Sequence, residues 1–449
     1  MSGDLIAKSP SGERDYNLLG SLPGLLTLAP LGWLVWLLVR YHVNVPYDFQ
    51  LAQAFLLERS YSGQLSLVDI WQQQAMHRGF FPRLATLWIA CMTRWDLSWE
   101  AAANVAMAGG ILWALLRCLV RVIRVTEDVR MRWLFPAFAL LVFSPTQWDN
   151  WLTGNGFYIF LCVLTSVWGL ALLSDGPPSP FRLGLAILLG AVATYSFGFG
   201  AGYWPAGWLI LRGMSLPEQG RRAIWLWLGA AVGVLGFYLW GLRWVGVRPL
   251  EELFQHPEAF GFFIVRFLGA PVIPHKAGAL LAGLAGLTIF VLGLGRFRAV
   301  SPERRAALLP FVAFSVYAIF GGICAAVARA HPGVGLASRY TSAALLLWIC
   351  VLVFLWEFLA DRAVSGRFGR VLLGLLLAGM VIRSVAAGLF FVHWHVRMEP
   401  VRQALIQRQS GPILERLWPA NPKALSSVVA ILEKRHLSVF RGSLRDTKD

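Results

Sequence analysis

Asp48, Asp149 and Arg339 are the side chains of this sequence best suited to chemistry. Asp48 lies in Asn44-Val45-Pro46-Tyr47-Asp48-Phe49, just past the first long apolar stretch, where the largest polar insert before the second begins. Removing a carboxylate from water at a lipid boundary is costly unless a cation, a proton donor or a substrate compensates it. An acid so placed is therefore a functional candidate, or else the N-cap of the helix that follows. Asp149, in Trp148-Asp149-Asn150-Trp151, ends a third apolar run. The string reads equally well as an aromatic-belt turn, with Trp at the interface and Asp-Asn ending a helix. Arg339 stands beside Tyr340 at the mouth of the tenth run and carries a planar fork that can hold two phosphate oxygens. Arginines at span ends also snorkel to lipid phosphate, and this is the simpler reading for Arg329, His331, His275 and Lys276. His77 and Arg78 sit in an interfacial loop, suited either to contacting an anion or to anchoring.

The elements that must position these groups follow from composition. In 449 residues, 57% are hydrophobic and only 14% charged, with 21 Trp and 29 Phe, which marks an all-α integral membrane protein. Apolar runs of spanning length recur from Leu22 to the neighbourhood of His395. The expected spans are 22–40, 99–119, 131–144, 157–173, 183–197, 203–211, 223–242, 278–295, 306–327, 341–359 and 371–393, about eleven in all. Two of them, 131–144 and 203–211, are short for a full crossing. The organisation expected is a polytopic bundle over 1–395, including a first outer loop at 41–98, followed by a small helical tail at 396–449 facing outward.

Within the loop, 49–57 and 65–74 mix apolar and polar residues with helical periodicity, as interfacial helices do, and 84–92 is apolar but too short to cross. The tail should hold short helices at 401–407, 413–417 and 423–434 packed on the outer face. It is too small to be an independent catalytic domain.

Arginine placement sets the expected orientation. Arg117, Arg121, Arg124, Arg130 and Arg132, then Arg212, Arg221 and Arg222, then Arg296, Arg298, Arg304 and Arg305, then Arg362, Arg367 and Arg370 share one side, expected to be the cytoplasm. The amino terminus, with Lys8 and Arg14, joins it, so Asp48, all eight histidines and the tail face outward at a bacterial inner membrane. The net charge of +16 reads as topology and attraction to anionic lipid, not as nucleic-acid binding. The five cysteines lie in apolar segments without metal-ligand spacing and read as packing residues. The first apolar run lacks a small-residue cleavage site and is expected to remain as a helix. Arg383, inside the last span, should find a partner within the bundle.

The layout resembles the GT-C membrane glycosyltransferases, more narrowly the bacterial members related to protein mannosyltransferases and lipid A aminoarabinose transferases. The strings that carry the resemblance are Val45-Pro46-Tyr47-Asp48, His77-Arg78 with Phe81-Pro82-Arg83, Ser144-Pro145-Thr146-Gln147-Trp148-Asp149-Asn150-Trp151, Ser196-Phe197-Gly198-Phe199-Gly200 and Ser338-Arg339-Tyr340-Thr341. The resemblance implies transfer of a sugar from a polyprenyl-phosphate donor to a glycan, lipid or protein acceptor on the outer face. Asp48 would take the proton from the attacking hydroxyl. Asp149 would orient the acceptor or help bind a divalent cation, for which Asp48, Asn150 and Asn155 offer further oxygens. Arg339, Tyr340, His77 and Arg78 would meet the donor phosphate. Many relatives carry two adjacent acids in this loop, whereas here Asp48 is followed by Phe49, a departure that weighs against a paired-carboxylate metal site. Two other readings stand beside this one. A transporter or flippase of lipid-linked glycans would show inverted halves and charges at mid-membrane, and no internal repeat is evident. The other is a noncatalytic component of a cell-envelope assembly.

Overall fold

A computed structural model describes residues 21–74, 77–214, 218–243, 249–329, 335–360, 366–409, 411–419 and 421–441. Lys8, Arg14, His331 and Arg362 lie outside the described residues. The described chain is helical, and its one bridge of extended backbone joins Gln74 and His77.

The helices, in chain order, are α1 (Leu22–Tyr41), α2 (Gln53–Tyr61), α3 (Leu67–Trp71), α4 (Phe80–Thr93), α5 (Leu97–Thr126), α6 (Leu134–Val142), α7 (Trp148–Leu152), α8 (Asn155–Leu173), α9 (Pro180–Thr194), α10 (Tyr203–Gly213), α11 (Glu218–Leu239), α12 (Pro249–Gln255), α13 (Pro257–Gly269), α14 (Lys276–Phe297), α15 (Pro302–Arg329), α16 (Thr341–Ala360), α17 (Gly366–Ile406), α18 (Pro412–Glu415) and α19 (Leu425–Lys434). Among the described residues, eight are long and apolar enough to cross a membrane: α1, α5, α8, α11, α14, α15, α16 and α17. The protein is a multi-pass membrane protein.

Three expected spans are short. The stretch 131–144 contains α6, of 9 residues; 183–197 overlaps α9, of 15; and 203–211 lies within α10, of 11. The first is broken by Ser144-Pro145, because proline cannot extend a helix without losing a hydrogen bond. Side chains satisfy the carbonyls freed at the break. Gln147 Nε2 donates to the Leu141 and Val142 carbonyls at 3.2 and 3.0 Å, and Trp151 Nε1 donates to the Ser144 carbonyl at 3.0 Å. Irregular backbone is tolerated at membrane depth only where protein groups re-satisfy it in this way.

α16 is the central helix, with 89% of its apolar stretch buried, whereas the corresponding figure for α11 is 22%. Ion pairs tie one end of the bundle together. Arg117 and Arg121 of α5 reach Asp175, just past α8, at 2.6 and 2.8 Å. Arg304 of α15 pairs with Glu357 of α16, and Trp356 Nε1 donates to Asp128 at 3.0 Å. The opposite end carries the first loop, where α2, α3 and α4 overlap the three stretches expected there, α2 being displaced by the 3-10 turn Asp48–Ala52 that precedes it. Ser66 caps α3, accepting from the Asp69 N–H at 3.3 Å, and Asp96 caps α5, accepting from the Ser98 N–H at 3.1 Å.

The tail folds onto this loop. α17 runs through Pro400 to Ile406, so the stretch expected as a separate helix at 401–407 belongs to it and the 395/396 boundary falls inside a helix. Beyond it, α19 packs on α2, Ser438 N–H donates to the Arg94 carbonyl at 2.9 Å, and Arg441 pairs with Asp96.

Candidate active-site cleft

The two strings 144–151 and 338–341, far apart in sequence, interlock. Asp149 N–H donates to Ser338 Oγ at 2.9 Å, and Asn150 Nδ2 donates to the Arg339 carbonyl at 3.1 Å and to Ser342 Oγ at 2.8 Å. Ser342 in turn donates to Gln147 Oε1. This scaffold sets Arg339 Nη1 3.2 Å from Asp149 Oδ2. The side chains are 21% and 13% exposed, so the pair is screened far less than a surface one. Arg339 Nε is buried without a partner, and the guanidinium lies 5.7 Å from the Tyr340 ring centre.

Asp48 opens a 3-10 turn, Asp48–Ala52, in which Tyr47 takes the cap position. Its φ is 52°, in the left-handed region that Asp tolerates better than most residues. The Asp48 N–H donates to the carbonyl of Leu417 in the tail at 2.7 Å. Burial raises the Tyr47 phenol above its ordinary value; Arg397 opposes the rise, while the carboxylates of Asp48 and Asp149 add to it. Both acids thus act on one hydroxyl. Around it, Arg397 stands 5.9 Å from the Tyr47 ring and Trp394 meets that ring edge-on at 5.0 Å. Trp148 stacks on Phe390 at 5.6 Å and touches Trp394 at 6.5 Å.

Beside this patch a cavity of about 50 Å³ reaches into the bundle. Gln50, Gln53, His77, Glu100, Tyr158 and Arg339 are among its lining residues. That volume holds a water molecule or two, not a sugar ring. Glu100 is 4% exposed and accepts from Gln50 Nε2 at 2.8 Å and from Trp95 Nε1 at 3.0 Å. Sequence reasoning missed Glu100, which lies in the first turn of α5 and reads there as an ordinary acid at a helix start. The neighbouring Gln50 gives no sign that it belongs to the same cluster.

The remaining candidates separate. His77 reaches the cavity, its ring 4.2 Å from that of Phe197. Arg78 is buried and spends its guanidinium on carbonyls: Nε on Tyr238 at 2.9 Å, Nη2 on Trp240 at 2.6 Å and Nη1 on Trp71 at 3.4 Å. Tyr340 is 3% exposed among Phe199, Phe263 and Phe267, and its hydroxyl is buried. Arg383 carries a buried Nε without a partner, and among the described residues no carboxylate pairs with it. In the glycine-rich stretch, a Cβ on Gly200 would lie 2.3 Å from the Ala193 carbonyl, which makes this segment a close backbone contact.

Asp149 is already compensated by Arg339, and among the described residues no three His, Cys, Asp or Glu side chains gather closely enough to hold a metal. No family model, curated protein or solved structure matches the chain.

Proposed function

We propose that this protein is a membrane glycosyltransferase of GT-C type, moving a sugar from a polyprenyl-phosphate donor to an acceptor on the outer face of a bacterial inner membrane. The observation that carries the reading is the position of Arg339, which pairs with Asp149 and also lines the cavity formed by the first loop. A leaving phosphate needs positive charge where its own charge develops, and an arginine with donors to spare supplies it. Asp48 is the base that takes the proton from the acceptor hydroxyl, and Asp149 holds Arg339 toward the phosphate. His77 offers a second polar contact. The sugar binds at the mouth of the cavity, and the prenyl chain runs along Trp148, Phe390 and Trp394, of which Phe390 is 41% exposed.

On this reading the chain passes the membrane eleven times. Three of the passes use α6 with α7, α9, and α10, helices short enough to leave irregular backbone near the site. The amino terminus is cytoplasmic, and the tail faces outward with Asp48.

The test is transfer of radiolabelled sugar from a panel of polyprenyl-phosphate sugars by the full chain in proteoliposomes. Transfer by the native protein and its loss in Asp48→Asn, with normal membrane insertion, is the expected result. Full activity in that variant removes Asp48 as the base, and no transfer from any donor favours a noncatalytic role.

A further inference from the structure

We propose that Glu100 is a positioning residue for Asp48, acting through the side chain of Gln50; the inference rests on the reading of Asp48 as the base. The Gln50 amide is bound at both ends. Its Nε2 donates to Glu100 Oε2 at 2.8 Å, and its Oε1 accepts the Tyr47 N–H at 3.3 Å. Only one orientation of the amide satisfies both contacts, since a flip would set donor against donor and acceptor against acceptor. On the far side, the Asp48 N–H is held by the Leu417 carbonyl at 2.7 Å. The backbone is thus tied just before Asp48 and at Asp48 itself, around a φ of 52°. A left-handed conformation at a residue other than glycine persists only where its surroundings over-determine it.

Glu100 is an unusual anchor. Its other oxygen accepts from Trp95 Nε1 at 3.0 Å, and the Trp95 side chain is itself 1% exposed. Both donors are neutral, and among the described residues no cation pairs with this carboxylate. A buried acid without a counter-ion is unfavourable, and a packed apolar residue would serve stability better. What the acid supplies is a strong, directional acceptor that fixes the amide opposite it. The chain makes room for that amide at Gly154, where a Cβ would lie 2.7 Å from Gln50 Cδ. Gln50, Glu100 and Arg339 line the same cavity.

The test uses the full chain in lipid nanodiscs. Glu100→Gln leaves one acceptor for two donors, Gln50 Nε2 and Trp95 Nε1, and the weakened hold on Gln50 is expected to raise hydrogen exchange at the Tyr47 and Asp48 amides about tenfold. Gln50→Ala, at a half-buried position, is expected to do the same and guards against a Glu100 variant that does not fold. The exchanged pair Glu100→Gln with Gln50→Glu restores protection, because the amide at 100 then donates to a carboxylate at 50 that still accepts the Tyr47 N–H. Sugar transfer follows the same order, with kcat down roughly tenfold or more at unchanged KM in the single variants and recovered in the exchanged pair. Unchanged exchange in both single variants, or a folded exchanged pair that recovers neither protection nor kcat, overturns the proposal. Full transfer by Asp48→Asn is a different failure: it removes the role of Asp48, while the exchange measurements still report whether Glu100 holds the turn.

Discussion

Arg435 donates from Nε and Nη2 to both carboxylate oxygens of Glu58, at 2.7 and 3.0 Å, closing a loop between residues 377 positions apart. Lys434 adds a third contact at 3.0 Å. The hydrogen bonds from Arg435 and Lys434 hold the Glu58 carboxyl down from 4.5 to about 2. A carboxylate whose folded value is depressed contributes its stabilisation fully above about 4.5 and loses it as the pH falls through about 2. The tail is therefore expected to resist pepsin at pH 5 and to become cleavable progressively toward pH 2. Glu58→Gln loosens the tail at neutral pH and flattens that response. The effect is small, because the pair is partly exposed.

Arg339→Gln is expected to raise the KM for a polyprenyl-phosphate donor by about tenfold or more, since a charge-assisted contact to phosphate is lost. Arg339→Lys recovers only part of this, because a point charge does not reproduce the fork. Donor titrations of the two variants at fixed acceptor check the order. Equal KM values for both variants and the native protein would place the donor phosphate elsewhere.

Arg78→Ala is expected to act on stability and not on the donor. The substitution leaves the carbonyls of Tyr238, Trp240 and Trp71 without their donor. Removing one member of such a buried set costs on the order of 3 kcal/mol. Thermal unfolding in detergent, followed by tryptophan fluorescence, should show a lower midpoint, while the KM for donor in the folded fraction stays at the native value.

Gly156→Ala is expected to abolish folded protein or nearly so. A Cβ there would meet the Asn150 carbonyl oxygen at 1.7 Å and Asn104 Nδ2 at 2.7 Å, contacts that fix the turn carrying Asp149. Overpacking of this kind costs about 1 to 3 kcal/mol even where the neighbours can shift, and backbone cannot shift cheaply. Gly109→Ala is the control: nothing lies within 4 Å of its Cβ, and alanine favours the helix by about 0.8 kcal/mol. Yield after size-exclusion chromatography distinguishes the two.

The sequence was most legible where a single physical quantity decides. Apolar length located α1, α5, α8, α11 and α14 to α17, and periodicity located short helices in the first loop. It was less legible where two distant segments decide together. Arg78 and Arg339 look alike as arginines beside aromatic residues, yet one is saturated by carbonyls and the other keeps a donor free. Glu100 carries no local mark of its burial, which comes from Gln50 and Trp95 closing over it. α13 escaped because Arg266 interrupts an apolar run too short to cross, although Phe263 and Phe267 bury one face of the helix.

The contact between Leu417 and Asp48 also bears on biosynthesis. A ribosome delivers the first loop early and the tail much later, so the carbonyl that receives the Asp48 N–H is made long after the turn it closes. Until then that turn lacks one of its ties. In chains that stop short of Leu417 the loop around Asp48 would still be unset, and the cleft would be completed only after α17 has been made.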